Sequence, residues 1–389
     1  MLSVKDIRPE AIYASFRAEN KKPWVVVLNI WKYMLKYFLK KRKYSEEDIG
    51  WAEKVSSTSQ RLVNTDNQNL KIGLLGDIMW VRKGGENMIS ADLMKKMQNC
   101  AFWIGNLETP IVPDKKVKSF WPDYIKYGSS ASILKAFRSA NRNLLGLVSL
   151  ANNHILDSGE TGLETTMDSL DQEGILFSGT DNNFCVKVSG GIKIGFYALT
   201  YGTNSTGKLT QRINILDHSS QCISNIKEIF RQMDEAGVDL KVLSLHWGHE
   251  FEFIPSPAQR ELARELIREG ADIILGHHPH VIQPIEVLFL GGYEKTLDFP
   301  VSHESCLESS TSRKALVIYS AGNFITDMIT SEVRLGMGLV LDLYKNGRVI
   351  DWQISEIILV DNKPSRLFSP HATCLSENKF AGCCEKVSH

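Results

Sequence analysis

The chain has 389 residues, 43% hydrophobic and 23% charged, a globular composition that excludes wholesale disorder, collagen and coiled coil. Its 45 Lys and Arg balance its 45 Asp and Glu. The length allows two domains, or one large α/β domain with appendages, and a core of that size needs neither disulfide nor metal to stay folded.

The zero balance is unevenly spread. Residues 1–43 hold eleven basic and three acidic side chains, a charge of +8 that leaves −8 on the remainder. A mildly acidic body argues against nucleic acid as a partner, because phosphate backbones need a basic footprint. Residues 24–39 (WVVVLNIWKYMLKYFL) are apolar but shorter than the roughly 20 residues of a membrane span. Asn29, Lys32, Lys36, Lys40 and Lys43 fall on one stripe of a helix, so the leader is predicted as an amphipathic helix. Residues 22–43 then either lie on an anionic membrane surface or pack on the body or a second subunit. No signal peptide is read, because no small-residue cleavage site follows the apolar run.

Residues 1–70 are predicted as this leader plus a helix and linker, 71–360 as the body, and 361–389 as a polar, weakly ordered tail with Cys383 and Cys384. Within the body, strands are predicted at 71–77, 101–108, 144–154, 192–201, 240–250, 271–280 and 315–324. Helices are predicted at 88–99, 130–142, 160–173, 217–236 and 257–266, the last with Pro257 in its first turn. Strands alternating with helices imply largely parallel sheets covered by helices. The seven cysteines show no C-x-x-C pair, which argues for reduced thiols and a cytoplasmic location, with membrane association through the leader kept open.

Polar residues recur where each apolar run ends: Asp77, Asn106 with Glu108, Asn152–Asn153–His154, His246, His277–His278–Pro279–His280 and Asn323. Carboxyl ends of strands form the ligand crevice of α/β sheets, so these segments are predicted to converge. His, Asp, Glu and Asn without Cys suit Mn, Zn or Fe, and the set is large enough for one or two ions. Two ions can clamp a phosphoester and supply a bound hydroxide. His154, beside Asn153, is placed to protonate a leaving group. No P-loop, G-x-G-x-x-G, G-x-S-x-G or H-E-x-x-H motif is present.

The ordered blocks Gly76-Asp77, Asn106-Leu107-Glu108-Thr109-Pro110, Ala151-Asn152-Asn153-His154, His246-Trp247-Gly248-x-Glu250, Gly276-His277-His278-Pro279-His280-Val281 and Gly322-Asn323-Phe324 resemble the bacterial capsule and poly-γ-glutamate biosynthesis (CapA-like) family. Tyr201-Gly202-Thr203-Asn204 resembles a further segment of it. That family is similar to calcineurin-like metallophosphoesterases. The resemblance implies two packed mixed β-sheets flanked by α-helices, here with the N-terminal amphipathic extension. It implies Asp77, Glu108, Asn153, His246, His278 and His280 as metal ligands and His154 as the catalytic residue. Asn106, Glu250, His277 and Asn323 are implied to contact substrate or support the ligands, with His277 an alternative to His278. Two positions depart from the phosphoesterase pattern. Met79 stands where Asp-x-His would supply a ligand, and Glu108 replaces a bridging Asp. The implied function is metal-dependent hydrolysis of a phosphoester or related bond in a small molecule or polymer. The alternative is a non-catalytic assembly or export component for an anionic envelope polymer. Oligomeric state is not read from the sequence.

Overall fold

A computed structural model describes residues 44–58, 70–81, 88–113, 127–140, 142–217, 219–290, 313–328, 332–346, 349–364 and 370–374. The predicted leader helix, the linker at 59–69 and residues 375–389 lie outside the described residues.

Two sheets form the centre. The first is built from β1 (Leu70–Met79), β2 (Phe102–Glu108), β5 (Leu145–Ser149), β6 (Leu176–Ser178), β13 (Asn323–Ile325), β14 (Leu335–Asn346), β15 (Val349–Pro364) and β16 (Pro370–Cys374). Its order is β16-β15-β14-β1-β2-β5-β6, with β13 also pairing β1. The β1, β2, β5 and β6 ladders are parallel, and the β14, β15 and β16 ladders antiparallel. The second sheet contains β7 (Cys185–Ser189), β8 (Ile192–Thr200), β9 (Leu240–His246), β10 (Ile273–His277), β11 (Ile285–Leu290) and β12 (Arg313–Ile318). Its order is β11-β12-β10-β9-β8-β7, parallel except at the two edges. Arg138–Ser139 and Arg142–Asn143 form a small separate hairpin, β3 and β4.

Strand alternation divides the core into layers. Ile72, Leu74, Ile104 and Leu147 face Ile194, Phe196, Val242, Leu275 and Ile318 between the sheets. Leu75, Trp103 and Val148 point the other way, onto α2 (Ala91–Met97), α3 (Ser132–Lys135) and α4 (Gly159–Gln172). Leu243, Leu245 and Val317 meet α5 (Ser220–Glu235) and α6 (Pro257–Glu269) outside the second sheet. Ser256 and Gln259 form a capping box at the start of α6, with Pro257 in its first turn and Gly270 ending it. This is the helix-flanked two-sheet α/β fold that the resemblance implies. The remaining described helix, α1 (Glu46–Thr58), lies against β11.

Several local expectations are corrected. The predicted helix at 130–142 shrinks to α3, because Ala140 takes a left-handed backbone (φ 48°) and the chain turns back as the β3–β4 hairpin. The strand predicted at 71–77 is longer: β1 runs on to Met79, with an irregularity in its pairing between Leu74 and Asp77 on β2 and between Asp77 and Ile78 on β13. The sheet continues past residue 360, since β15 reaches Pro364 and pairs with β16 out to Cys374. The run at 315–324 divides into β12 and β13, which belong to different sheets.

Candidate metal centre

Two glycines let the site close. A Cβ on Gly76 would sit 2.0 Å from the Gly322 carbonyl oxygen, and one on Gly276 would sit 2.0 Å from that of Tyr319. Each glycine immediately precedes a site residue, Asp77 or His277. The register then aligns the polar tips: Asp77 opposite both Asn106 and Asn323, Met79 opposite Glu108, and His246 opposite His277. Asn153 and His154 follow β5. The strand ends of both sheets therefore meet in one buried polar layer, in which Asp77, Asn106, Glu108 and Asn323 expose no surface.

Glu108 lies at its centre. Its Oε1 is 3.6 Å from His246 Nε2 and 3.7 Å from His280 Nε2. Ligand-type atoms of Asp77, Glu108 and His246 lie within 4.8 Å of one another, as do those of Glu108, His278 and His280. Glu108 is common to both sets. Among the described residues, neither of its oxygens has a hydrogen-bond partner. Burial, then the charges of Asp77 and Glu250, push its carboxyl well above the usual range.

The other ligand candidates are oriented by neighbours. Asn106 donates through Nδ2 to Asp77 Oδ1 at 2.9 Å and contacts His246 Nδ1 at 3.3 Å. That leaves His246 Nε2 facing Asn153 Oδ1 at 2.9 Å, a contact where a proton or a cation must sit between two electron-rich atoms. Burial, and the nearby His278, hold His246 well below the ordinary histidine range. His280 Nδ1 meets Asn323 Oδ1 at 3.0 Å, which turns Nε2 toward Glu108. Burial opposes charge on His280, but contact with Asp77 raises its affinity for a proton. Burial likewise opposes charge on Asp77, yet His277 and His280 hold its carboxyl well below the usual range. His277 Nδ1 lies 3.0 Å from Asp77 Oδ1, an ion-pair distance without hydrogen-bond alignment. The three-histidine loop thus sends His278 and His280 to Glu108 and His277 to Asp77. Both His278 (φ 94°) and His280 (φ 58°) take left-handed conformations, strain of the kind found at functional sites. Glu250, half-buried in the loop after β9, adds negative charge around Glu108 and His280.

His154 is held at the edge of this layer. Its backbone N–H donates to Asn152 Oδ1, and its Nδ1 lies 2.7 Å from Asp157 Oδ2. Asn152 in turn donates to Asn106 Oδ1 and to the Leu107 carbonyl. The backbone N–H of Asn204 donates to the Asn153 carbonyl at 2.8 Å. Tyr127, which the sequence does not single out, stacks on the His154 ring with centroids 3.7 Å apart. Burial, with the charges of Glu108, Glu250, Asp157 and Asp327, keeps the Tyr127 phenol neutral. Asp157 carries a sequence signal, lying three residues after His154. Tyr127 has none, because chain separation hides its approach. Met79 packs into an apolar cluster with Tyr127, Val281, Met328 and Val333, joined by half-buried Trp80, Phe251 and Phe253.

The donor set fits divalent cations: imidazole nitrogens, carboxylates and an amide oxygen around a buried carboxylate that has no hydrogen-bond partner among the described residues. Fold and site together define a helix-flanked, two-sheet α/β protein with a His, Asn and carboxylate centre at the strand ends. The chain belongs to the bacterial capsule synthesis protein PGA_cap family, whose family model matches residues 71–328. It is 25% identical over 324 residues to the capsule biosynthesis protein CapA of Bacillus anthracis, spanning 77% of this chain and 70% of that one. To the PGA biosynthesis protein CapA of Bacillus subtilis (strain 168) it is 29% identical over 313 residues, spanning 76% and 73%. A solved structure of the calcineurin-like phosphoesterase YfkN from Bacillus subtilis aligns with a TM-score of 0.40 and 15% identity, over 83% of this chain and 100% of that one. Among the described residues, no helix is long and apolar enough to cross a membrane.

Proposed function

We propose that the chain is a metal-dependent hydrolase of a phosphoester, or of a related bond in an anionic envelope polymer. The observation that carries this reading is Glu108, fully buried, shared by two ligand sets and, among the described residues, without a hydrogen-bond partner. A buried carboxylate in that state is costly, and a dication relieves the cost. Asp77, Glu108, Asn153, His246, His278 and His280 would hold one or two Mn, Zn or Fe ions. Such ions, when bound, supply Lewis-acid activation and neutralise charge on the phosphoryl oxygens. The chain's own part is positioning and proton transfer. Asp157 Oδ2 orients the ring through Nδ1, so that His154, when doubly protonated, presents Nε2–H to the leaving oxygen and is left as neutral imidazole once that proton is given up. The apolar cluster around Met79, which includes Tyr127, limits water beside His154.

The test is elemental analysis after reconstitution with Mn or Zn, together with a phosphoester panel. The proposal expects bound metal, lower metal content in Asp77→Ala and His278→Ala, and turnover that His154→Ala abolishes. A reconstituted protein without metal overturns it. Met79 favours a second reading. It stands opposite Glu108, in register, where the phosphoesterase pattern supplies a ligand, so one metal position is short of a donor. In that reading the centre binds an anionic polymer during assembly without cleaving it. Metal binding with no turnover, and polymer output retained by His154→Ala but lost in Asp77→Ala, would favour it. The relatives' names, capsule and PGA biosynthesis, suit either reading. We further propose that residues 22–43 attach the chain to an anionic membrane surface. Liposome flotation unchanged by deletion of residues 1–43 would dispose of that.

A further inference from the structure

The proton-donating His154 is gripped from a direction that the family motifs do not include. Tyr127 precedes a short bridge between Ser129 and Ile111, far in sequence from β5. Its backbone N–H donates to Asp157 Oδ2 at 2.7 Å, the same oxygen that lies 2.7 Å from His154 Nδ1. Ser158 Oγ donates to its carbonyl at 3.4 Å, so its backbone is tied twice to the 157–158 segment. Its ring lies over the imidazole, with centroids 3.7 Å apart and planes 15° from parallel. On its own account Tyr127 stacks with the indole of Trp80, at 5.9 Å and 12°. His154 thus terminates a stack of three nearly parallel rings.

We propose that Tyr127 is a positioning residue for His154, with Trp80 backing it, and that the stack fixes the plane in which Nε2 is presented to the leaving group. The physical reason is steric. The hydrogen bond to Asp157 fixes one point on the imidazole and leaves rotation about the axis through that point. A ring lying parallel at 3.7 Å blocks the rotation, because any tilt drives imidazole carbons into the phenol face. Tyr127 also restrains Asp157 through its N–H, so one residue holds both the donor and its orienting carboxylate. The contact that matters is the ring and not the hydroxyl, which makes Phe an adequate substitute and Leu an inadequate one.

This rests on the assignment of His154 as proton donor, and the test separates the two. The full-length, zinc-reconstituted chain is labelled at histidine, and the His154 ring protons are followed by NMR alongside turnover and metal content. Stacking beneath an aromatic ring shifts those protons upfield whether or not the protein is catalytic. Tyr127→Phe is expected to keep the upfield positions and to keep turnover within about twofold. Tyr127→Leu is expected to lose the upfield shift and about tenfold or more in turnover, at unchanged metal content. Should the Leu variant not fold, Trp80→Ala decides. Trp80 is half-buried against Tyr127, and its removal is expected to weaken the upfield shift and lower turnover about threefold. The proposal is overturned if the folded Leu variant, or Trp80→Ala in its place, leaves resonances and turnover as they were, or if Phe fails to rescue. A wild-type protein that binds zinc but turns over nothing would sink the hydrolase reading, while the resonances still report whether the stack orients the ring.

Discussion

Two buried polar clusters in this protein are treated in opposite ways. One lies under α1. Asp48 pairs with Arg260 at 2.6 Å, Arg264 with Glu286 at 2.9 Å, and Tyr319 Oη donates to Glu286 Oε2 at 2.8 Å. Arg260 also lies 4.6 Å over the Trp51 ring, whose edge meets Tyr319. Each of these carboxylates has a cation beside it. The other cluster is the strand-end centre, where Glu108 is more deeply buried yet, among the described residues, has no hydrogen-bond partner, with the His246 imidazole 3.6 Å away and the charges of Asp77 and Glu250 around it. The first cluster shows that this fold can satisfy buried charge when only docking is required. The exception at Glu108 therefore points to a ligand, since unsatisfied buried groups in native proteins concentrate where something binds.

The contrast can be broken most directly at Glu108. Glu108→Gln keeps the shape and removes the charge. Metal affinity is expected to fall by more than the roughly 10–100-fold typical of supporting residues. At the same time the metal-free protein is expected to gain about 1 kcal/mol, because Glu108, whose carboxyl is pushed well above the usual range, must take up a proton or bury its charge on folding, and an amide need do neither. Calorimetric titration and urea unfolding measure the two, and a metal-free variant less stable than wild type would contradict the contrast. Arg264→Ala applies the opposite operation to the paired cluster, stranding Glu286. A loss of about 3 kcal/mol in urea unfolding is expected, with metal content unchanged. Asn323→Ala removes the acceptor that turns His280, and is expected to weaken metal binding about tenfold, or about 1.4 kcal/mol. The smallest effect is in pH dependence. Burial alone would raise the Asp48 carboxyl, but Ser45 and Arg260 bring it below its ordinary value. A carboxyl lowered in the folded state stabilises above its unfolded pKa of about 4 and loses that contribution as acid protonates it. Asp48→Asn is thus expected to lower stability near neutrality and flatten its fall below about pH 4. An unchanged acid limb in thermal melts would show that the Asp48–Arg260 pair contributes little.

How far the sequence reached follows from the kind of burial each strand has. β1, β2, β9 and β10 are buried on both faces, so they read as apolar runs, and their polar ends stand out as Asp77, Glu108, His246 and His277. β15 is half-exposed, with Gln353, Ser355 and Glu356 interleaved among Ile354, Ile357 and Ile358, and that mixture reads as the approach to a polar tail. Its pairing with β14 over twelve positions is what makes it a strand. The 130–142 segment has helical spacing, but a left-handed Ala140 is invisible to periodicity. Site residues defined by strand ends and motifs were legible. Tyr127 was not, because its role comes from a stacking contact across 27 residues and from a hydrogen bond to Asp157. Met79, legible as a missing ligand, is in the structure also part of the apolar cluster with Tyr127, Val281, Met328 and Val333.

The position of β1 sets a timetable for assembly. Leu70–Leu75 pair with Gly338–Leu343, and Asp77 pairs with Asn323, so the strand that opens the body waits for residues about 250 to 270 positions later. A ribosome emitting this chain releases Asp77, Glu108 and His246 long before β14 emerges. Until then one edge of β1 lacks its neighbour and the first sheet lacks the strands that extend it. Pairings this distant slow the search for the native state. The centre is therefore completed late, when β13 and β14 slide in beside β1. A chain cut near residue 330 would carry every proposed metal ligand and still present an open sheet edge where the finished protein has a closed one.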